Sequence, residues 1–234
     1  MLYCKKTIEG RMKKFGCLLA LLLLISLVSC AEMHDLLYET EQNGLSYCVR
    51  GTDNRAKQIV VKDGDRVLWS KSVDVDASVG NHDGCYGLGI ADLNFDGYDD
   101  VMIVTAVNGD LISYACFLRD GANESFHYSE DLSALSTIGI NYGLKAIFGF
   151  SSEREELSDG HYSLCDKATK YVWSNGKPIP QMYASITYNS KSDNYRYSVA
   201  YYDESSKQFE DSSDIWMTPE EYAEADMEFL YYFK

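Results

Sequence analysis

The stretch Asp92-Leu93-Asn94-Phe95-Asp96-Gly97-Tyr98-Asp99-Asp100 carries oxygen-bearing side chains at its first, third, fifth and ninth positions and a glycine at its sixth. Calcium is a hard cation that takes six to eight oxygens at ~2.3–2.6 Å, and a calcium loop must turn sharply at its sixth residue. The spacing therefore predicts a calcium loop with ligands from Asp92, Asn94, Asp96 and Asp100, plus Tyr98 through its main-chain carbonyl. It is not an EF-hand. The twelfth position would be Ile103, where that motif uses a bidentate Glu. Apolar runs flank the loop, Leu88 to Ala91 before it and Val101 to Val104 after it, so the site is expected between two strands. A plain acidic turn uses the same residue types, but three acids, an asparagine and a glycine in register favour the ion. Its expected role is structural, because crowded carboxylates repel one another without a cation.

No other constellation in the chain carries chemistry of comparable specificity. Asp74-Val75-Asp76 and Asn81-His82-Asp83-Gly84 offer too few ordered ligands and read as solvated loops. The four histidines, His34, His82, His127 and His161, are scattered without metal-ligand spacing. There is no Gly-x-Ser-x-Gly and no phosphate-cradling glycine loop. The expectation is a binding or structural protein and not an enzyme. A carboxylate pair for glycan cleavage is set by distance in space, not along the chain, so a calcium-dependent glycan-active enzyme stays open as the alternative, beside an envelope structural protein.

The N-terminus reads as an address. Lys13 and Lys14 precede the apolar run Leu18 to Val28, which leads into Leu27-Val28-Ser29-Cys30. Positive charge, apolar run and small residue in that order make a secretory signal. The run is about a dozen residues, short of the ~20 needed to span a bilayer as a helix. A cysteine directly after Leu-Val-Ser resembles the bacterial lipobox, and that resemblance implies lipidation at Cys30 with cleavage before it. Met12 serves as well as Met1 for a start.

The formal net charge is −15, with 21 basic and 36 acidic residues. Residues 1–30 hold five of the basic residues and one acid; without them 16 basic and 35 acidic remain, or −19. Such a surface disfavours nucleic acid as a partner and favours cations or a basic protein. Four of the seven cysteines, Cys48, Cys85, Cys116 and Cys165, lie beyond Cys30. Three disulfide pairings are open to them, as are buried thiols on apolar strands.

The elements that must position the loop are short strands. Nineteen tyrosines against three prolines lean toward β structure. Strands are expected at Leu45 to Val49, Gln58 to Val61, Arg66 to Trp69, Val101 to Val107, Ile112 to Leu118, Lys145 to Phe150, His161 to Cys165, Tyr171 to Trp173, Gln181 to Tyr188 and Tyr195 to Tyr202. Turns at Asp63-Gly64-Asp65, Asn108-Gly109-Asp110 and Ser174-Asn175-Gly176 join several into hairpins. A short helix is expected around Glu130 to Leu135, capped by Ser129. A second runs from Pro219 to about Phe229, where Thr218-Pro219-Glu220-Glu221 orders a cap, a first-turn proline and a capping-box Glu. The organisation is thus a signal over 1–30, an acidic tether over 31–43, a mainly β domain of antiparallel hairpin repeats over 44–217, and a C-terminal helix and tail over 218–234.

Asp92-Leu93-Asn94-Phe95-Asp96-Gly97-Tyr98 followed by Asp100-Val101 resembles the calcium loop of FG-GAP and VCBS repeat proteins, which are β-propeller modules. The wording Asn94-Phe95-Asp96-Gly97-Tyr98 with Asp100, then Tyr114 to Asp120, Phe126 and Asp131-Leu132-Ser133, is similar to a smaller family. Those are periplasmic lipoproteins that act as immunity proteins against lysozyme-like toxins delivered by a type IV secretion system. The resemblance covers Ile90 to Leu135, and more loosely Lys145 to Tyr188. It implies a propeller-like fold and an extracytoplasmic, lipid-anchored binding protein for a peptidoglycan-degrading enzyme, with a basic protein or a glycan as ligand. The chain departs from the family in having one full calcium loop and in the small residues Ala115 and Cys116 on the aromatic strand. None of the family's enzyme-contacting residues transfers to a position here.

Overall fold

The computed structural model describes residues 34–53, 55–76 and 86–224. The expected signal with Cys30, the segment 81–84, Cys85 and the end of the expected C-terminal helix lie outside the described residues. Chain contacts separate Met1–Asp35 from a unit spanning Leu36–Lys234, and the strands below belong to the second apart from the first residue of β1.

Fourteen strands form three antiparallel sheets among the described residues. Sheet 1 is β1 (Asp35–Gln42), β2 (Leu45–Thr52), β3 (Arg55–Asp63) and β4 (Arg66–Asp76) in that order. Sheet 2 is β5 (Leu88–Ala91), β6 (Asp100–Asn108), β7 (Leu111–Asp120) and β8 (Ser125–Ser129). Sheet 3 is β9 (Gly139–Asn141), β10 (Ala146–Glu156), β11 (Tyr162–Ser174), β12 (Lys177–Asn189), β13 (Asn194–Asp203) and β14 (Gln208–Met217), again in chain order. Each sheet is a meander of hairpins, and each remains open. The helices are α1 (Glu130–Ser133) and α2 (Pro219–Glu224). Among the described residues no helix is long and apolar enough to cross a membrane.

Turn chemistry explains the joints. Asn175 and Gly176 sit at φ 52° and 78°, the left-handed pair that a tight β-hairpin demands. At α2 the capping box forms in both directions. Glu221 N–H donates to Thr218 Oγ1 at 3.2 Å, and Thr218 N–H donates to Glu221 Oε2 at 2.8 Å.

Alternation along the strands places sheet 2 between two apolar layers. Val101, Ile103 and Phe117 face Tyr47, Val49, Ile59 and Val61 of sheet 1. Trp69 joins them, with its ring 5.1 Å from Phe117 and 5.0 Å from Phe126. The opposite face of sheet 2 presents Met102, Cys116 and Leu118, which pack with Leu93, Leu132 and Ile147. A third layer, around Phe148, Ala168, Ala184, Ile186, Tyr197 and Val199, covers the other side of sheet 3.

Several expectations are corrected. Most of the acidic stretch read as a tether is strand β1, over Asp35–Gln42. Its turn into β2 is Asn43-Gly44, at φ 49° and 79°, the same hairpin device as Asn175-Gly176. Asp74 to Asp76 is not a solvated loop but the end of β4, where Asp74 pairs with Arg55 at 2.5 Å and Lys57 at 2.7 Å. From Tyr162 on, the segments His161 to Cys165 and Tyr171 to Trp173 are parts of one thirteen-residue strand, β11. Ala168 and Thr169 are both buried, on opposite faces of that strand, so its middle lacks the polar alternation that marks a half-buried strand. Of the two readings open for the cysteines, the structure has the second at Cys48, Cys116 and Cys165, which are free thiols, the first two fully buried.

Candidate metal loop and its supports

The loop 92–99 joins β5 to β6, and the hairpin closes on the Ala91–Asp100 pair. Phe95 at φ 60° and Gly97 at φ 91° put two left-handed residues in it. Glycine holds the second without cost; for phenylalanine the first is strained.

The side chains predicted as ligands turn inward onto the loop. Asp96 N–H donates to Asp92 Oδ1 and to Asn94 Oδ1, each at 3.1 Å, so an oxygen from each residue meets at one amide. Gly97 N–H donates to Asp92 Oδ2 at 2.9 Å, and Tyr98 N–H to Asp96 Oδ1 at 2.9 Å. Asn94 Nδ2 closes the ring by donating to Asp96 Oδ2 at 2.8 Å. These are Asx-type turns, in which short polar side chains replace backbone partners.

Asp100 is different. It is fully buried at the first position of β6. Its Oδ2 accepts from Leu93 N–H and its Oδ1 from Arg119 N–H, both at 2.8 Å. Burial pushes its carboxyl up to about 7; the two amide bonds oppose this, and the charges of Asp96 and Asp92 add to it. Tyr98, 43% exposed, lays its ring below the Arg119 guanidinium at 5.3 Å.

The structure thus brings Asp92, Asn94 and Asp96 together on the loop, whereas Asp100, one residue beyond it, turns its carboxylate to the Leu93 and Arg119 amides in the core. Among the described residues no three Asp, Glu, His or Cys side chains are drawn together as a ready-made metal cage, because the loop's carboxylates engage its own amides. The donor set still suits a hard cation. Every side-chain donor is oxygen, and a carboxylate oxygen bonded to one amide keeps a lone pair for a metal.

Two supports were not read from the sequence. Leu93, fully buried, anchors the loop in the layer between sheets 2 and 3. Asp99, outside the ligand register and 5% exposed, accepts from Gln42 Nε2 and Asn43 Nδ2, each at 2.8 Å. The β1–β2 turn is thereby tied to the residue between Tyr98 and Asp100. The Asn43-Gly44 dipeptide was the available signal for that turn. Nearby, the Tyr47 hydroxyl is buried with no hydrogen-bond partner among the described residues. Burial, and then the charge of Asp99, pushes it up to about 12.

A solved structure described as a Xanthomonas type IV secretion system related protein has a similar fold. The match has a TM-score of 0.53 at 13% identity and covers 77% of this chain and 97% of that one. The sequence matches no protein-family model and no curated protein.

Proposed function

We propose that this chain is a lipid-anchored, calcium-stabilised binding protein of the bacterial cell envelope, and that it inhibits, or gives immunity to, a peptidoglycan-degrading enzyme. The observation that carries the reading is the fold likeness to a type IV secretion system related protein over nearly all of that protein's length. It agrees with the loop and strand wording that resembles the immunity lipoproteins. Two four-stranded meanders stacked face to face, with a third sheet behind them, suit a propeller-like arrangement of blades.

Within this reading Cys30 carries the lipid, and Asp92, Asn94, Asp96, Asp100 and the Tyr98 carbonyl hold the ion. Bound calcium supplies positive charge among the carboxylates. The chain's own residues then fix the loop: Leu93 from the core, and Gln42 and Asn43 through Asp99. The strongly acidic surface would speed association with a basic enzyme.

The test is a titration of the purified protein, in calcium, into lysozyme-like muramidases acting on peptidoglycan. Stoichiometric loss of activity for at least one supports the reading; unaltered rates for every muramidase tried contradict it. Palmitate labelling in cells, lost in Cys30→Ala, tests the anchor.

A further inference from the structure

Strand β10 is paired along its full length on one side only. Its inner edge pairs with β11 along its full length, from Ala146 to Glu156, without a bulge. Its outer edge pairs with β9 only from Ala146 to Phe148. One further bond, Phe150 N–H to the Ser136 carbonyl at 2.8 Å, continues that line. Beyond it no described strand covers the edge. Because Phe150 N–H points outward, the alternation of an antiparallel strand makes those of Ser152 and Arg154 point outward too.

A cleft of about 540 Å³ opens where the pairing stops. Phe150 to Ser152 of β10 line it together with Asp166 and Lys167 of β11 and the β6–β7 turn from Asn108 to Leu111. The segment at Ser136 shows that a chain fits beside β10 at hydrogen-bonding distance. It is held there by Thr137 N–H donating to the Ile112 carbonyl at 2.6 Å.

The charge around this edge is acidic in excess. Asp110, Glu153, Glu155 and Asp166 are exposed. Among the described residues Lys167 and Arg154 stand beside these acids, outnumbered by them and each held by a neighbour. Lys167 Nζ lies 4.1 Å from the Tyr183 ring centroid. Arg154 stacks 4.1 Å over Tyr162 and pairs with Glu156 at 2.8 Å. Charged side chains on a free edge guard against self-pairing, and a second copy of this chain would set acid against acid. A strand bearing Lys or Arg meets the complementary field.

We infer that the outer edge of β10 from Phe150 to Glu156 is a docking site for an extended, basic segment of a partner protein, which adds to sheet 3 as a strand beside the cleft. Main-chain bonds to Ser152 and Arg154 supply affinity, and the acids at the cleft supply selectivity. The site deepens the partner reading above and rests on it only for the partner's identity.

The probe is a blocked eight-residue peptide alternating Lys with Thr and Val, with a twin carrying Glu in place of Lys, added to the isotope-labelled protein. The Lys peptide should saturably shift the amide signals of Ser152 and Arg154 and slow their exchange, and the Glu twin should not. Ser152→Pro removes an N–H that the fold leaves outward, so it should melt as the parent does, yet bind at least tenfold more weakly. Asp110→Lys with Asp166→Lys leaves the main chain intact and should weaken binding similarly. Absence of saturable binding, binding that leaves those two amides unmoved, equal binding of the Glu twin, or full binding by the charge-reversed variant would each overturn the site. Muramidase inhibition that survives such a failure would move the partner contact elsewhere; edge binding without inhibition would keep the contact and change the partner.

Discussion

The side-chain amide of Asn43 donates to the buried carboxylate of Asp99 at 2.8 Å, across 56 residues of sequence. Gln42 does the same to the other oxygen. The two amides tie the first turn of sheet 1 to the loop that opens sheet 2, and they are the only polar cover the structure gives that carboxylate among the described residues. Removing one leaves a buried acceptor short of a donor, at a cost of about 1–3 kcal/mol. Asn43→Ala should therefore lower stability by that order in denaturant unfolding. In a double-mutant cycle with Asp99→Ala, the second substitution should cost far less than it does alone. Simple additivity would mean that the contact does not form.

Leu93 should matter as much as the loop's acids. It is fully buried against Cys116, Leu118, Leu132 and Ile147. Leu93→Ala should cost about 2–5 kcal/mol, read from the shift in denaturation midpoint at constant slope. A loss below ~1 kcal/mol would show that the loop is not anchored through this residue.

The thiols should separate by reactivity. Burial pushes Cys116 up to about 12, with Ser133 opposing and Asp100 adding. Cys48 is pushed up as well, by burial and by its hydrogen bond to Glu39 at 3.2 Å. Reaction requires the thiolate and access. In the folded protein, alkylation at pH 8 followed by peptide mapping should modify the part-exposed Cys165 and spare Cys48 and Cys116. Raised values also fix the sign of the pH effect: the stability these thiols contribute is complete below the unfolded thiol range and is lost as pH rises toward 12. Equal labelling of all three would contradict the burial.

Asp74 gives the opposite sign. Hydrogen bonds from Arg55 and then Lys57 hold its carboxyl down at about 2. Its contribution is present above the ordinary carboxylate range and is lost as pH falls through about 2. Carboxyl-detected titration should place Asp74 well below a free Asp, and Arg55→Gln should move it back up. The pair is exposed, so its effect on the melting temperature should be small and should shrink with salt.

Much of this fold was legible because local chemistry and tertiary structure agree. Asn175-Gly176 turns where its residue types demand, Gly109 at φ 60° turns β6 into β7, and Thr218 with Glu221 forms the capping box that their spacing announces. The apolar runs Leu88 to Ala91 and Val101 to Val104 correctly placed the acidic stretch between two strands. Strand β1 stayed hidden because its acids, Glu39 and Glu41, mimic a solvated tether, although Asn43-Gly44 marks its turn. The middle of β11 stayed hidden because it packs on both faces, so alternation carries no signal there. Asp99 looked like a spare acid because its partners lie more than fifty residues away, and no local pattern encodes such a contact.

The loop is the centre of the account, and calorimetric calcium titration of the purified protein beside Asp96→Ala tests it most directly, with melting followed in calcium and in chelator. The account predicts saturable one-site binding to the parent, its loss in the variant, and a melting temperature that rises with free calcium in the parent alone. An absence of binding heat together with identical melting in calcium and chelator would contradict it, and would leave Asp92 to Asp100 as an acidic turn held by its own amides.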